Sequence, residues 1–131
     1  VIDPFGRYHY AKELIASGDA KKIKMGQGWV QGHDKYWRDE AAMSEGSPAL
    51  ALERGESVPL PPVLYIQGTA DKAHPKPHRE RFIASYQKIG GRVELHLYEG
   101  MDQAFITDDP GAPASLAAIE KIIEFVHREI R

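Results

Sequence analysis

Residues 60–75, LPPVLYIQGTADKAHP, decide the fold class of this 131-residue chain. The apolar run from Val63 to Ile66 is rich in β-branched and aromatic residues and lies between two prolines and Gly68. This pattern predicts a strand buried on both faces, as in a parallel sheet covered by helices. Asp71 follows the predicted carboxyl end of the strand, where open α/β sheets bind their ligands. We therefore expect an α/β fold with its chemistry in this loop.

A second βα unit follows. Residues 77–89 carry apolar side chains at helical spacing and end at a pair of glycines, which favour the left-handed conformation after a helix. Residues 93–98 alternate apolar and polar side chains, which predicts a strand with one face partly open to water. An amphipathic helix, with Ser115 as the expected cap, then covers the sheet. Two parallel strands with flanking helices are thus expected between residues 59 and 131.

The first 58 residues predict helices over 7–16, 34–45 and 47–54. The glycines at 26, 28 and 32 match neither a dinucleotide fingerprint nor a P-loop, and we interpret them as turn residues. Trp29, Tyr36 and Trp37 either line an acyl or aromatic pocket or pack in a core, and core packing is the favoured interpretation.

Composition excludes several classes of protein. The net charge of −2 offers no basic surface for nucleic acid, and no apolar run approaches the roughly 18 residues of a membrane span. The absence of cysteine excludes a disulfide framework and a thiolate metal site. Because the chain begins with Val rather than Met, we expect residues to precede it. The compartment is undetermined, with a weak preference for the cytoplasm.

Several segments together carry a family resemblance. They are DPFGRYHYAK at 3–12, HDKYWRDEAAM at 33–43, ERGE at 53–56 and the Gly-Thr-Ala-Asp-x-x-x-Pro element at 68–75. In these segments the chain resembles the C-terminal half of α/β-hydrolases of the esterase and lipase type. The resemblance implies one hydrolase domain, with residues 1–58 as a helical segment at the rim of the site and 59–131 as the last two βα units. Such a chain is incomplete as a domain on its own.

The resemblance implies that Asp71 is the acid of a catalytic triad. Residues 97–105, LYEGMDQAF, resemble the loop that bears the triad histidine, and Gln103 occupies the position of that histidine. A glutamine amide donates and accepts hydrogen bonds but is not a base at any useful pH. The chain has no Gly-x-Ser-x-Gly elbow for a nucleophile. Without the resemblance, Asp71 would be interpreted as a turn residue that bonds its own backbone.

Two alternatives involve nearby histidines. Asp71, His74 and His78 could meet at a metal ion, although Pro75 and Pro77 prevent a regular helix from placing them on one face. His74 could instead replace the missing base, although it shares the loop of the acid. No cofactor and no metal are expected.

Two functions follow from these observations. The favoured one is the C-terminal portion of a serine hydrolase that acts on a carboxylic ester, inactive as an isolated chain. The alternative is a non-catalytic, hydrolase-like protein that serves binding or assembly. The expected partner is the N-terminal half of the same hydrolase or a second copy of the chain, together with a small ester substrate. Neither nucleic acid nor a membrane is expected as a partner.

Overall fold

The computed structural model of the chain describes residues 2–130, which divide between Val58 and Pro59 into an N-terminal and a C-terminal unit. The N-terminal unit contains α1 (Pro4–Ala16), α2 (Ala20–Tyr36), α3 (Glu40–Glu45) and α4 (Pro48–Glu53). The C-terminal unit contains β1 (Val63–Gly68), α5 (Lys76–Lys88), β2 (Val93–Tyr98), α6 (Phe105–Asp108) and α7 (Pro113–Glu129). No helix in the described part of the chain is long and apolar enough to cross a membrane.

The C-terminal unit is a mixed α/β structure built on a parallel pair of strands. Within residues 59–130, β1 pairs with β2 in parallel, from Val63 opposite Val93 to Gly68 opposite Tyr98. A parallel pair needs a crossover connection, and α5 supplies it before the chain turns at Gly90, whose φ is +94°. The prediction of two parallel strands with flanking helices is therefore confirmed.

The burial of the strands differs from the prediction. The side chains from Val63 to Ile66 are half-buried, so the expectation of a strand buried on both faces is wrong for this structure. On β2, Leu95 and Leu97 are 41% and 45% exposed. The physical reason is that each strand has a single neighbouring strand within the described residues, which leaves apolar surface without a covering layer.

The last helix also differs in detail. It begins at Pro113, with Ala112 at the cap position. Ser115 is buried inside the first turn, and its hydroxyl donates a hydrogen bond to the carbonyl of Phe105 at 2.9 Å. Ser115 therefore joins α7 to α6 rather than capping α7. Half of the surface of Ile123 stays exposed, so the cover that α7 gives the sheet is partial.

In the N-terminal unit, the predicted glycine loop is wrong because α2 runs through all three glycines. The carboxylate of Asp19 caps this helix by accepting a hydrogen bond from Lys22 N at 2.9 Å. Gly26 lets α2 approach α1, since a Cβ there would lie 2.5 Å from the carbonyl oxygen of Ala11. A packing requirement that is invisible in the local sequence therefore overrides the turn preference of glycine.

The predicted helix over residues 34–45 is interrupted. α2 ends at Tyr36, and α3 begins after Asp39, whose carboxylate accepts a hydrogen bond from Ala42 N at 2.8 Å. The predicted helix over 47–54 is confirmed as α4, which ends before Gly55 with φ of +72°.

A buried polar contact joins the start of α1 to the start of α4. Asp3 caps α1 through a 2.8 Å bond from Gly6 N, and Ser47 caps α4 through its hydroxyl. The hydroxyl of Ser47 also donates to Asp3 Oδ1 at 3.1 Å, with Asp3 3% and Ser47 0% exposed. The amide of Gly6 and the hydroxyl of Ser47 thus share one buried acceptor, and the bond from Ser47 joins residues 44 positions apart.

We predict that Asp3→Ala lowers the free energy of unfolding by about 2–3 kcal/mol, because it removes a helix cap and leaves the buried hydroxyl of Ser47 without its acceptor. Asp19→Ala removes a cap of the same kind at an exposed position and should cost about 1 kcal/mol. Urea unfolding followed by tryptophan fluorescence measures both. An equal cost for the two variants would contradict the role of the buried contact.

Candidate acid–base site at the end of β1

The loops that follow β1 and β2 lie directly against each other. The amide of Ala70 donates to the carbonyl of Met101 at 2.9 Å. The contact requires glycine at position 68, because a Cβ there would lie 2.0 Å from Met101 O. The segments that carry Asp71 and Gln103 therefore share one edge of the sheet, as expected for the carboxyl ends of parallel strands.

Asp71 lies at the centre of a local hydrogen-bond network. Its Oδ1 accepts bonds from the amides of Ala73 at 2.8 Å and His74 at 3.1 Å, which is the turn role expected of an aspartate here. Its Oδ2 accepts from His74 Nδ1 at 2.9 Å and from Gln67 Nε2 at 3.1 Å. The side chain is 4% exposed. One carboxylate therefore both closes the loop and holds an imidazole.

Gln67 and Arg79 form a chain of buried hydrogen bonds that ends at this carboxylate. Gln67 is 6% and Arg79 7% exposed, and the guanidinium donates to Gln67 Oε1 at 2.9 Å. The amide nitrogen of Gln67 donates to the carbonyl of His74 at 2.7 Å as well as to Asp71. Sequence analysis missed both residues. The sequence signal that could have identified Gln67 is its polar side chain directly after the apolar run of β1.

The electrostatic environment of this network extends to Tyr65 on β1. Burial raises the pKa of the Tyr65 phenol; the positive charge of Arg79 opposes the rise and the negative charge of Asp71 adds to it. Tyr65 therefore stays a neutral phenol next to this pair of opposite charges.

His74 is oriented as a proton acceptor. A carboxylate oxygen accepts, so the Nδ1 that faces Asp71 carries a hydrogen, and in the neutral ring Nε2 then carries the lone pair. The side chain of His74 is 31% exposed, which leaves it within reach of a reactant. A carboxylate that fixes the tautomer of a histidine is the arrangement that general-base catalysis uses. The structure therefore brings together Asp71, the predicted acid, and His74, the residue considered as an alternative base.

Gln103 lies outside this network. It is exposed, in a turn after β2, and in the described part of the chain its side chain makes no hydrogen bond to Asp71 or His74. The amide that bonds Asp71 belongs to Gln67 instead. The structure also offers no group of three or more His, Asp or Glu suited to a metal ion among residues 2–130, so Asp71, His74 and His78 do not form the metal site that was considered.

A cavity of about 540 Å³ lies in the N-terminal unit. Its lining includes Trp29, Tyr36 and Trp37. Tyr36 is 80% exposed, so the core interpretation is wrong for this residue. The other lining residues are Pro4, Arg7, Gly28, Gly32, His33, Gly46 and Pro48.

Two glycines of α2 leave one side of this cavity without side chains. Gly28 and Gly32 are one turn apart, and a Cβ at either position would meet no atom within 4 Å. Each glycine inside a helix costs about 1 kcal/mol relative to alanine. Unlike Gly26, these two glycines therefore have no packing reason to be small.

No protein-family model, curated protein or solved structure matches the chain. The α/β-hydrolase relationship therefore stays a prediction from the sequence motifs.

We predict that Gln67→Leu lowers the free energy of unfolding by about 2 kcal/mol, because Arg79 Nη1 loses its buried acceptor. Gln87→Leu makes the same change at an exposed position of α5 and should change stability by less than about 0.5 kcal/mol. Hydrogen exchange of the β1 and β2 amides measures both variants. Equal protection in the two variants would contradict a structural role for Gln67.

We predict that Gly68→Ala destabilises the C-terminal unit by about 2–3 kcal/mol, since the added methyl group would overlap the backbone at Met101. Gly111→Ala is the matched control, because the nearest atom to a Cβ there is 3.7 Å away. Urea unfolding followed by far-ultraviolet circular dichroism compares the two. A Gly68→Ala variant as stable as Gly111→Ala would show that the loops do not approach this closely.

Proposed function

We propose that the chain is the C-terminal portion of an α/β-hydrolase of the serine esterase and lipase type, acting on a carboxylic ester. Asp71 is its acid, and His74 takes the role of the base that Gln103 cannot perform. The observation that carries the proposal is the 2.9 Å bond between a buried carboxylate and an accessible imidazole at the carboxyl end of a parallel strand. The motif resemblance adds independent support.

The chemistry divides between this chain and a nucleophile that it lacks. A serine hydroxyl of the N-terminal half attacks the ester carbonyl, and His74 Nε2 takes the hydroxyl proton. Asp71 accepts the Nδ1–H bond throughout and stabilises the imidazolium that forms. The imidazolium then returns its proton to the leaving alcohol, which gives an acyl-serine. Water, deprotonated by the same nitrogen, hydrolyses the acyl-serine and restores both groups.

The partner that supplies the serine is expected to complete the sheet as well. The half-open apolar face at Leu95 and Leu97 supports this expectation, because parallel strands are normally covered on both faces. The N-terminal half of the same hydrolase or a second copy of the chain would provide such cover. The isolated chain is expected to be inactive, because it has no serine elbow.

A non-catalytic, hydrolase-like protein is the second candidate. The observation that favours it is Gln103, which stands where the resemblance places a histidine and makes no bond to Asp71 in the described residues. In that case, the network around Asp71 maintains the loop and a ligand binds without turnover.

The test begins with the intact mass of the purified protein under denaturing conditions, which shows whether a serine-bearing polypeptide accompanies this chain. In such a complex, we predict that Asp71→Asn lowers the turnover of p-nitrophenyl butyrate by about 10⁴-fold, because the tautomer of His74 is no longer fixed. His74→Gln should lower turnover by more than about 10⁴-fold, because it removes the base itself rather than the group that orients it. His127→Gln, a change at an exposed position of α7, should leave the rate unchanged.

Different results separate the two candidates. Turnover that survives both Asp71→Asn and His74→Gln would exclude this pair from catalysis. Binding of an ester without turnover, unchanged in Asp71→Asn, would favour the non-catalytic protein.

A further inference from the structure

We propose that Gln67, anchored by Arg79, is the positioning residue that holds His74 in the orientation of a base. The inference rests on the proposed function, in which Asp71 and His74 act as an acid–base pair, and adds to that pair two buried residues that act through it. It is carried by one buried amide that is connected to both the backbone and the ring of His74.

The amide nitrogen of Gln67 reaches His74 by two routes. Its first hydrogen bond goes directly to the carbonyl of His74 at 2.7 Å. Its second goes to Asp71 Oδ2 at 3.1 Å, and the same oxygen accepts from His74 Nδ1 at 2.9 Å. A side-chain amide has two N–H groups, so both donors of Gln67 serve to hold His74. A histidine held at its backbone and at its ring has little freedom to turn away from the carboxylate.

Arg79 determines which way the amide of Gln67 points. Its Nη1 donates to Gln67 Oε1 at 2.9 Å. If the amide were turned over, its two N–H groups would face the guanidinium, which only donates. Its oxygen would then face the carboxylate of Asp71 and the carbonyl of His74, which both accept. The observed orientation is therefore the one that satisfies every group, and Arg79 acts on His74 through Gln67.

Packing alone does not explain a guanidinium at this position. Arg79 is 7% exposed, and its Nε is a buried atom without a hydrogen-bond partner. In the described part of the chain it makes no ion pair, and its side chain makes a single hydrogen bond, to Gln67. An apolar side chain of similar size would avoid the cost of burying this charge. A role for the cation in orienting the amide gives a reason for its presence.

The loop itself is closed without Gln67. Asp71 Oδ1 accepts the backbone amides of Ala73 and His74, whereas Gln67 bonds only the other oxygen, the one that faces the imidazole. Loss of the Gln67 amide should therefore release the ring of His74 more than it disturbs the loop. This difference separates a positioning role from a merely structural one.

Nuclear magnetic resonance of the full, ¹⁵N-labelled chain measures the position of the ring hydrogen. At about pH 9 an imidazole with the ordinary pKa of about 6.5 is neutral, and the shifts of its two nitrogens distinguish the Nδ1–H form from the Nε2–H form. The spectrum of His74→Gln identifies the signals of His74 among those of the six histidines. We expect His74 of the wild type in the Nδ1–H form.

We predict that Gln67→Leu lowers the ratio of the Nδ1–H form to the Nε2–H form by about fivefold, which corresponds to the loss of one ordinary hydrogen bond. Gln87→Leu, the same change at an exposed position of α5, should leave the ratio unchanged. The backbone amide signals of β1 and β2 show in each variant that the strands remain paired.

A second pair of variants tests the chain of bonds without altering Gln67. Arg79→Met removes the donor that anchors the amide and should lower the ratio, although by less than Gln67→Leu. Because it replaces a buried and incompletely bonded charge by an apolar side chain, this variant is expected to fold. Arg79→Lys keeps a charged donor and should restore the ratio toward that of the wild type.

The outcomes distinguish this inference from the proposed function. A wild-type His74 in the Nε2–H form would contradict the bond to Asp71 and would overturn both. A wild-type His74 in the Nδ1–H form, with the same ratio in folded Gln67→Leu and Arg79→Met variants, would overturn the positioning role alone and leave the acid–base pair intact.

Discussion

The parallel pairing of β1 and β2 is the constraint on which the C-terminal unit depends. It requires a crossover helix, and it places the carboxyl ends of both strands at one edge of the sheet. Gly68 lets the backbones of the two following loops touch at that edge. The position of Asp71 beside the loop that bears Gln103 is therefore a consequence of the strand pairing.

Asp71 combines two roles that the sequence presented as alternatives. Its Oδ1 closes the turn through backbone amides, while its Oδ2 receives the imidazole of His74. The two oxygens of a carboxylate offer about four acceptor positions, so neither role displaces the other. Gln67, itself bonded to the buried guanidinium of Arg79, donates a second hydrogen bond to Oδ2.

The glycines of α2 show how one residue type serves two physical purposes in one helix. Gly26 is small because the backbone of α1 leaves no room for a side chain. Gly28 and Gly32 face open space and are among the residues that line the aromatic cavity. In the sequence all three glycines indicate a turn, because that is the local preference of glycine. The sequence does not show which segment packs against each position in the folded chain.

The sequence by itself determined the elements whose causes are local: both strands, α5, α4, and the position of Asp71 after β1. Periodicity, turn residues and caps act over a few residues, so they can be read from the chain. Only the tertiary structure decided that α2 continues through its glycines, that Ser115 bonds α6, and that His74 and Gln67, rather than Gln103, contact Asp71. These outcomes depend on contacts whose geometry is set by packing and loop conformation, and residue order does not encode such distances directly.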